Sequence, residues 1–401
     1  MKLMHLSDLH IGKRVNDFSM IEDQIYILKQ ILEILDRECV DGVILAGDIY
    51  DKPVPSVEAV QVFDAFLTSL ADRKLPVFLI SGNHDSAERI GFGAQLMDSR
   101  EIYIAGVYDG TVKEVVLKDL YGEVSIFLLP FLKPSIVRHG LLRRLEKQEQ
   151  EDCADEVSRI QNLSSYQDCV RAVVDTIQIP DGRRSVLIAH QFVRGAACCE
   201  SEELMVGGVD QVDASVFDRF DYVALGHLHS PQKAGRESIR YCGTQLKYSF
   251  SEASQQKSVT IAELGEKGSI AIRTVPLVPL HDMRKIRGTY LEVTAKSFYE
   301  GSATDDYLLI TLTDEEDIPD GLLKLRTIYP NLMRLEYDNR RTREERLVEA
   351  DHSAEKKTAL ELFEEFYELQ NNQPVSEEQQ SFVKKLILLL QEEQGQERSK
   401  S

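Results

Sequence analysis

The chain has 401 residues, 43% of them hydrophobic, enough to bury a sizeable core and to divide into two or three domains. Its formal charge of -20 argues against a free-standing, broadly basic nucleic-acid binder, although metal ions or local basic stretches can supply a positive field where one is needed. The six cysteines show no C-x-x-C spacing, no targeting segment precedes Ser7-Asp8, and the apolar runs are too short to span a bilayer, so a reduced, cytoplasmic protein is expected.

In chain order, residues 3–6 read as a short strand that ends in Ser7-Asp8-Leu9-His10. Ile21, Ile25, Leu28, Leu32 and Leu35 follow helical spacing and predict an amphipathic helix against a sheet. Residues 43–46 are a buried strand ending in Gly47-Asp48. Val60, Phe63, Leu67 and Leu70 mark a second helix, and Pro76 opens the strand that delivers Gly82-Asn83-His84-Asp85. This βαβαβ run implies an at least partly parallel sheet.

Residues 102–107, 111–117 and 124–129 read as antiparallel or edge strands, which makes the sheet mixed. Residues 133–177 are helical and charge-rich; Arg138, Arg143, Arg144 and Lys147 form either a solvated face or a face touching a phosphate backbone. Two more apolar strands follow, 186–189 ending in His190 and 222–225 ending in Gly226-His227-Leu228-His229.

A lone His after a strand is usually a hydrogen-bonded turn residue. Here five of the nine histidines fall at such strand ends, together with Asp8, Asp48 and Asn83, and chance clustering is a poor explanation. Imidazole, carboxylate and amide oxygen without thiolate favour a borderline-to-hard divalent ion, Mn²⁺ ahead of Fe²⁺ or Zn²⁺. Asp8, His10, Asp48, Asn83, His190, His227 and His229 suffice for two ions with one bridging carboxylate.

Taken as an ordered set, Asp8-x-His10, Gly47-Asp48, Gly82-Asn83-His84-Asp85, His190 and Gly226-His227-x-His229 resemble the motifs of the calcineurin-like metallophosphoesterases. The opening Met-His-Leu-Ser-Asp-Leu-His-Ile-Gly, Ser86 after Asp85, and the stretch from Tyr241-Cys242-Gly243-Thr244 to Ser249-Phe250-Ser251-Glu252 are similar to the SbcD family, nuclease subunits of bacterial SbcCD complexes. Thr244 stands where Ser is expected, and the hydroxyl is retained.

The resemblance implies an α+β fold of two mixed β-sheets packed as a sandwich flanked by helices, which the strand pattern alone does not predict. It implies that Asp8, His10, Asp48 and His229 hold one ion, and that Asp48 bridges to a second completed by Asn83, His190 and His227. His84 would act on the scissile phosphate without ligating metal, with Asp85 orienting its imidazole. The implied activity is phosphodiester hydrolysis by a two-metal-activated water, as a 3'-5' double-strand exonuclease and a single-strand and hairpin endonuclease. The implied partners are DNA, an SbcC-like SMC-type ATPase and a second copy of the chain within a heterotetramer, in the bacterial cytosol and at the nucleoid. The alternative is a small-molecule or protein phosphoesterase of the same superfamily.

Beyond the expected nuclease domain, 1–276, residues 288–294 and 307–313 read as strands, 319–328 as a helix and 332–337 as another strand. By resemblance this α+β unit, 277–340, caps a DNA cleft; Arg284, Lys285 and Arg287 are either phosphate contacts or surface charges. Residues 341–393 are expected to form a helical hairpin, its stripes Ala359, Leu362, Phe363 and Phe366, then Phe382, Val383, Leu386, Leu389 and Leu390, facing the ATPase or docking on the chain itself. The tail 394–401 is expected to be disordered.

Overall fold

The apolar runs assemble into two six-stranded sheets in a computed structural model that describes residues 1–147, 154–196, 198–202 and 211–340, with isolated residues between 363 and 383. The helical hairpin expected over 341–393 lies outside the described residues apart from those isolated positions, and the tail 394–401 lies outside them entirely.

The first sheet runs in the order Ile270–Pro276, Ser258–Leu264, Lys2–Leu6, Gly42–Ala46, Val77–Ile80, Ile102–Ala105; the first two junctions are antiparallel and the other three parallel. The second runs Gln232–Ala234, Arg236–Tyr241, Tyr222–Gly226, Arg184–His190, Gly122–Leu129, Lys113–Asp119, parallel at its three inner junctions and antiparallel at its two outer ones. Both sheets are mixed.

Side chains alternate across each strand, and both faces of the inner strands Gly42–Ala46, Val77–Ile80, Arg184–His190 and Tyr222–Gly226 are covered, which is why these read as unbroken apolar runs. Inward, Leu3, Ile44 and Phe78 meet Ile126, Val186 and Tyr222 in one cluster between the sheets. Outward, Met4, Val43, Leu45 and Leu79 pack with Ile31, Phe63 and Leu70 from helices Ile21–Glu38 and Val57–Asp72. On the opposite side, Leu187, Val223 and Leu225 pack with Val137, Leu141 and Val173 from helices Pro134–Lys147 and Tyr166–Asp175. Each fully buried Leu, Ile or Phe contributes about 1.5–3 kcal/mol, so the three layers dominate the stability of the fold. Ser56 and Ser165 cap two of these helices by accepting from Ala59 N and Asp168 N.

The strands expected to be antiparallel or edge strands are so: Ile102–Ala105 closes one edge of the first sheet, and Gly122–Leu129 pairs antiparallel with Lys113–Asp119 while its other junction, with Arg184–His190, is parallel and makes it interior. Its last residues, Ile126, Phe127, Leu128 and Leu129, are buried on both faces, as an interior strand requires.

A third sheet orders Met283–Gly288, Tyr307–Leu312 and Leu332–Tyr337, with helix Gly321–Arg326 between the last two strands in sequence. The strand expected over 288–294 is instead a helix, Tyr290–Val293, opened by a capping box in which Thr289 and Glu292 exchange hydrogen bonds. By compactness one unit comprises 1–311 and 319–336, and a second comprises 312–318 and 337–401. Within the second, Asp338 N donates to Leu312 O at 2.8 Å and Ile318 N donates to Tyr337 Oη at 3.1 Å. Among the described residues, no helix is long and apolar enough to cross a membrane.

Candidate metal centre

The loops that leave the parallel strands converge because their backbones bond to one another. Asp8 N donates to Gly47 O at 2.9 Å, His10 N to Asp48 O at 3.0 Å and Ile11 N to Ile49 O at 2.9 Å. Asp8, His10, Asp48 and His227 all adopt positive φ, at 53°, 44°, 51° and 107°, a costly conformation outside glycine that recurs at functional sites. Glycine is required where the loops touch: a Cβ on Gly82 would overlap Asp48 Oδ1, and one on Gly226 would overlap Ala46 O.

All seven expected ligands come together at this end of the sandwich. Donor atoms of Asp8, His10 and His229 lie within 4.8 Å of one another, as do those of Asp8, Asp48 and His190. Asn83 Oδ1 is 2.9 Å from both His190 Nε2 and His227 Nδ1. Asp48 Oδ2 is 3.3 Å from His190 Nε2 and 3.8 Å from His10 Nε2, a central place between the two groups. Asp8 accepts from Ser7 Oγ and, at 3.0 and 3.1 Å, from His227 N.

The donor chemistry fits divalent ions. His190 Nδ1 donates to Ala46 O at 2.8 Å, so a neutral ring turns its Nε2 lone pair toward the oxygens of Asn83 and Asp48, an arrangement that calls for positive charge among them. His10 Nε2 and His229 Nε2 are 3.1 Å apart, close to the spacing of two nitrogens that share one ion at about 2.1 Å each. His227 Nε2 and His10 Nδ1 are buried with no hydrogen-bond partner.

Without an ion the fields divide the cluster, holding three imidazoles neutral and keeping protons on His190 and Asp8 that a cation would replace. Burial pushes the Asp8 carboxyl up to about 7, whereas at Asp48 burial is outweighed by the charge and hydrogen bond of His190, which hold it well below the usual carboxylate range. At His190 burial opposes the imidazolium, but Asp48 pushes it up to about 9. Burial holds His10 and His229 well below the ordinary imidazole value, and lowers His227 to about 3. Neutral imidazoles at His10, His227 and His229 beside the ionised Asp48 are the forms that metals take, whereas His190 holds a proton on Nε2 that a bound ion would displace.

His84 stands beside the cluster. Its ring meets that of His10 edge-on at 4.8 Å, a ring nitrogen lies within 4.8 Å of donors on His10 and Asp48, and its backbone N donates to Asp48 Oδ1 at 2.9 Å. Asp85 does not orient the imidazole as expected. Its carboxylate accepts from Ile49 N, Tyr50 N and Gly82 N, because a buried carboxylate takes the nearest unpaired donors, and it ties the two loops together. His84 Nδ1 donates instead to Asp51 O at 3.1 Å.

The structure adds residues that no strand-end pattern marks. Gln24 Nε2 donates to His10 O at 2.8 Å and to Tyr248 Oη at 2.9 Å, holding the His10 loop from behind. Lys13 Nζ pairs with Asp51 Oδ1 at 2.7 Å and lies 5.5 Å over the Tyr248 ring. Of the candidate phosphate contacts, Arg138 donates to Leu163 O and Arg284 to Asp306 and Ala303 O, so both guanidinium groups brace the fold.

Comparison with known proteins follows the same division. The family described as Calcineurin-like phosphoesterase matches residues 1–231, and that described as Type 5 capsule protein repressor C-terminal domain matches 279–371. The SbcD subunit of the nuclease SbcCD from Staphylococcus epidermidis is 30% identical over 406 residues, covering 98% of this chain and 100% of that protein. A crystal structure of a dimetal phosphatase from Danio rerio is similar with a TM-score of 0.41 and 13% identity, over 70% of this chain and 98% of that one. By the extent of the family match and the identity to its relative, the chain belongs to the calcineurin-like phosphoesterases, metal-dependent hydrolases, and within them to the SbcD family.

Proposed function

We propose that this chain is the nuclease subunit of an SbcCD-type complex that hydrolyses DNA phosphodiester bonds. The observation that carries the reading is the convergence of seven metal-type ligands on one strand-end cluster with His84 beside it, in a chain similar along its whole length to a nuclease subunit. Asp8, His10, Asp48 and His229 would hold one ion and Asp48, Asn83, His190 and His227 the other, Mn²⁺ suiting this nitrogen and oxygen set best. Bound there, the ions would supply positive charge to the phosphate and acidity to a water.

The rest of the chemistry falls to the chain. Asp48 keeps its charge at the centre of the cluster. His84 donates through Nδ1 to Asp51 O, which leaves Nε2 toward the departing oxygen; in the doubly protonated ring Nε2 would pass its proton there and leave a neutral imidazole. Residues 277–340 would cap the DNA cleft over a nuclease domain spanning 1–276, and residues 341–393 would bind an SbcC-like SMC-type ATPase. A homodimer within a heterotetramer is proposed on the resemblance to the SbcD family. The proposed place of action is the bacterial cytosol, at the nucleoid.

The test is His84→Gln, assayed for bound Mn²⁺ and for cleavage of duplex ends and hairpins with the ATPase present. Cleavage should fall by roughly 10²–10⁴-fold with both ions retained. Unchanged cleavage would remove His84 from the mechanism, and turnover of small diesters but not of DNA would overturn the nuclease reading.

A further inference from the structure

We propose that Ser201 is a positioning residue that fixes His229 in its metal-binding tautomer, at the end of a relay that starts from the buried Glu252–Lys257 pair. The inference rests on the reading of His229 as a metal ligand.

The relay begins with a charge. Glu252 is fully buried, and Lys257 Nζ lies 2.6 Å from its Oε2. The same ammonium donates to His229 O at 2.9 Å and to Gln255 Oε1 at 2.9 Å, so its three protons are spoken for. A carboxylate paired in this way is ionised and can only accept.

Direction then passes along the chain of contacts. Ser201 Oγ is 2.7 Å from Glu252 Oε1, so the hydroxyl proton must point at the carboxylate. What Ser201 turns toward His229 is an oxygen lone pair, 2.6 Å from Nδ1, and Nδ1 must therefore carry the ring proton. The lone pair of a neutral imidazole is left on Nε2, the atom that faces His10 Nε2. Glu202 holds the same segment in place: Oε1 accepts from His229 N at 2.5 Å and Oε2 from Cys199 N at 2.8 Å. Segment 198–202 therefore holds both the imidazole and the backbone of one ligand, from a region with no strand-end motif. A hydroxyl that only filled space would need neither acceptor nor direction.

The experiment is calorimetric titration of the full chain with Mn²⁺. Partners behind metal-bound histidines typically change affinity by about 10–100-fold, so Ser201→Ala should weaken one of two sites by that factor and leave the other unchanged. Ser201→Thr, which keeps the hydroxyl, should restore it. Imidazole ¹⁵N spectra of the metal-free protein should show His229 protonated at Nδ1 in the parent and a tautomer mixture in Ser201→Ala. Two sites of parental affinity in Ser201→Ala, or failure of Ser201→Thr to restore a weakened site, overturns the proposal while His229 stands as a ligand. Two retained ions in His229→Ala overturn the ligand reading itself. Both Ser201 variants leave the buried Glu252–Lys257 pair intact, so their metal affinities report on the hydroxyl and not on the fold.

Discussion

The two halves of the cluster are built from the same residue types but held in different ways. On one side His190 leans on the main chain: its Nδ1 donates to Ala46 O, and Gly226, opposite it in the strand register, leaves room for that approach. On the other side His229 leans on side chains, Ser201 and, behind it, the Glu252–Lys257 pair. An imidazole braced by a backbone carbonyl changes only when the fold changes, whereas one braced by a side-chain relay can be altered by a single substitution that leaves the sheets intact.

The contrast can be tested where the halves meet and where they differ. Asp48, between them, should be the most sensitive position: Asp48→Ala is expected to lose both ions and at least about 10³-fold in cleavage, measured by metal analysis and oligonucleotide turnover. Retention of one tight ion would show that Asp48 serves a single half. Glu252→Gln leaves Lys257 buried without its counter-charge and should cost about 3–5 kcal/mol in denaturant unfolding. A loss under about 1 kcal/mol would mean that the relay starts elsewhere. Gly226→Ala should cost about 1–3 kcal/mol by forcing Ala46 O away, and should weaken the His190 half before the His229 half. The opposite order of metal loss would sink the comparison.

The smallest effect belongs to a control outside the cluster. Arg184 binds Asp119 through two hydrogen bonds, which hold the Asp119 carboxyl below the usual carboxylate range. Because the folded-state value is depressed, the pair's contribution is complete above the unfolded value, about 4, and fades as pH falls below it. Asp119→Asn should therefore cost about 1–2 kcal/mol at pH 7 and progressively less on acidification, with metal affinity unchanged. A penalty that grew in acid would contradict the sign of the shift.

Most of the cluster is legible because each expected ligand ends an apolar strand, and a polar side chain there has nowhere to go but outward from the sheet's end. The pairing of strands into two sheets was not, since runs buried on both faces look alike wherever they sit; resemblance carried that part. Asp85 was misassigned because adjacency to His84 says nothing about which donors a buried carboxylate will meet in folded space. Ser201 and Glu252, 51 positions apart, left no periodic trace of their contact. Helix Tyr290–Val293 was hidden by β-favouring Tyr and Val, although Thr289 and Glu292 carried the spacing of a capping box.

The four positive-φ residues have an energetic consequence. Asp8, His10, Asp48 and His227 sit in conformations that cost about 1–3 kcal/mol each relative to relaxed backbone. Whatever binds their side chains in the folded chain alone is therefore coupled to folding, and by mass action each tenfold rise in free ion above its dissociation constant adds about 1.4 kcal/mol. The supply of divalent cation is therefore expected to act as a stabiliser as well as a reagent, so that the melting temperature should rise with ion concentration and gauge how much of the population is loaded.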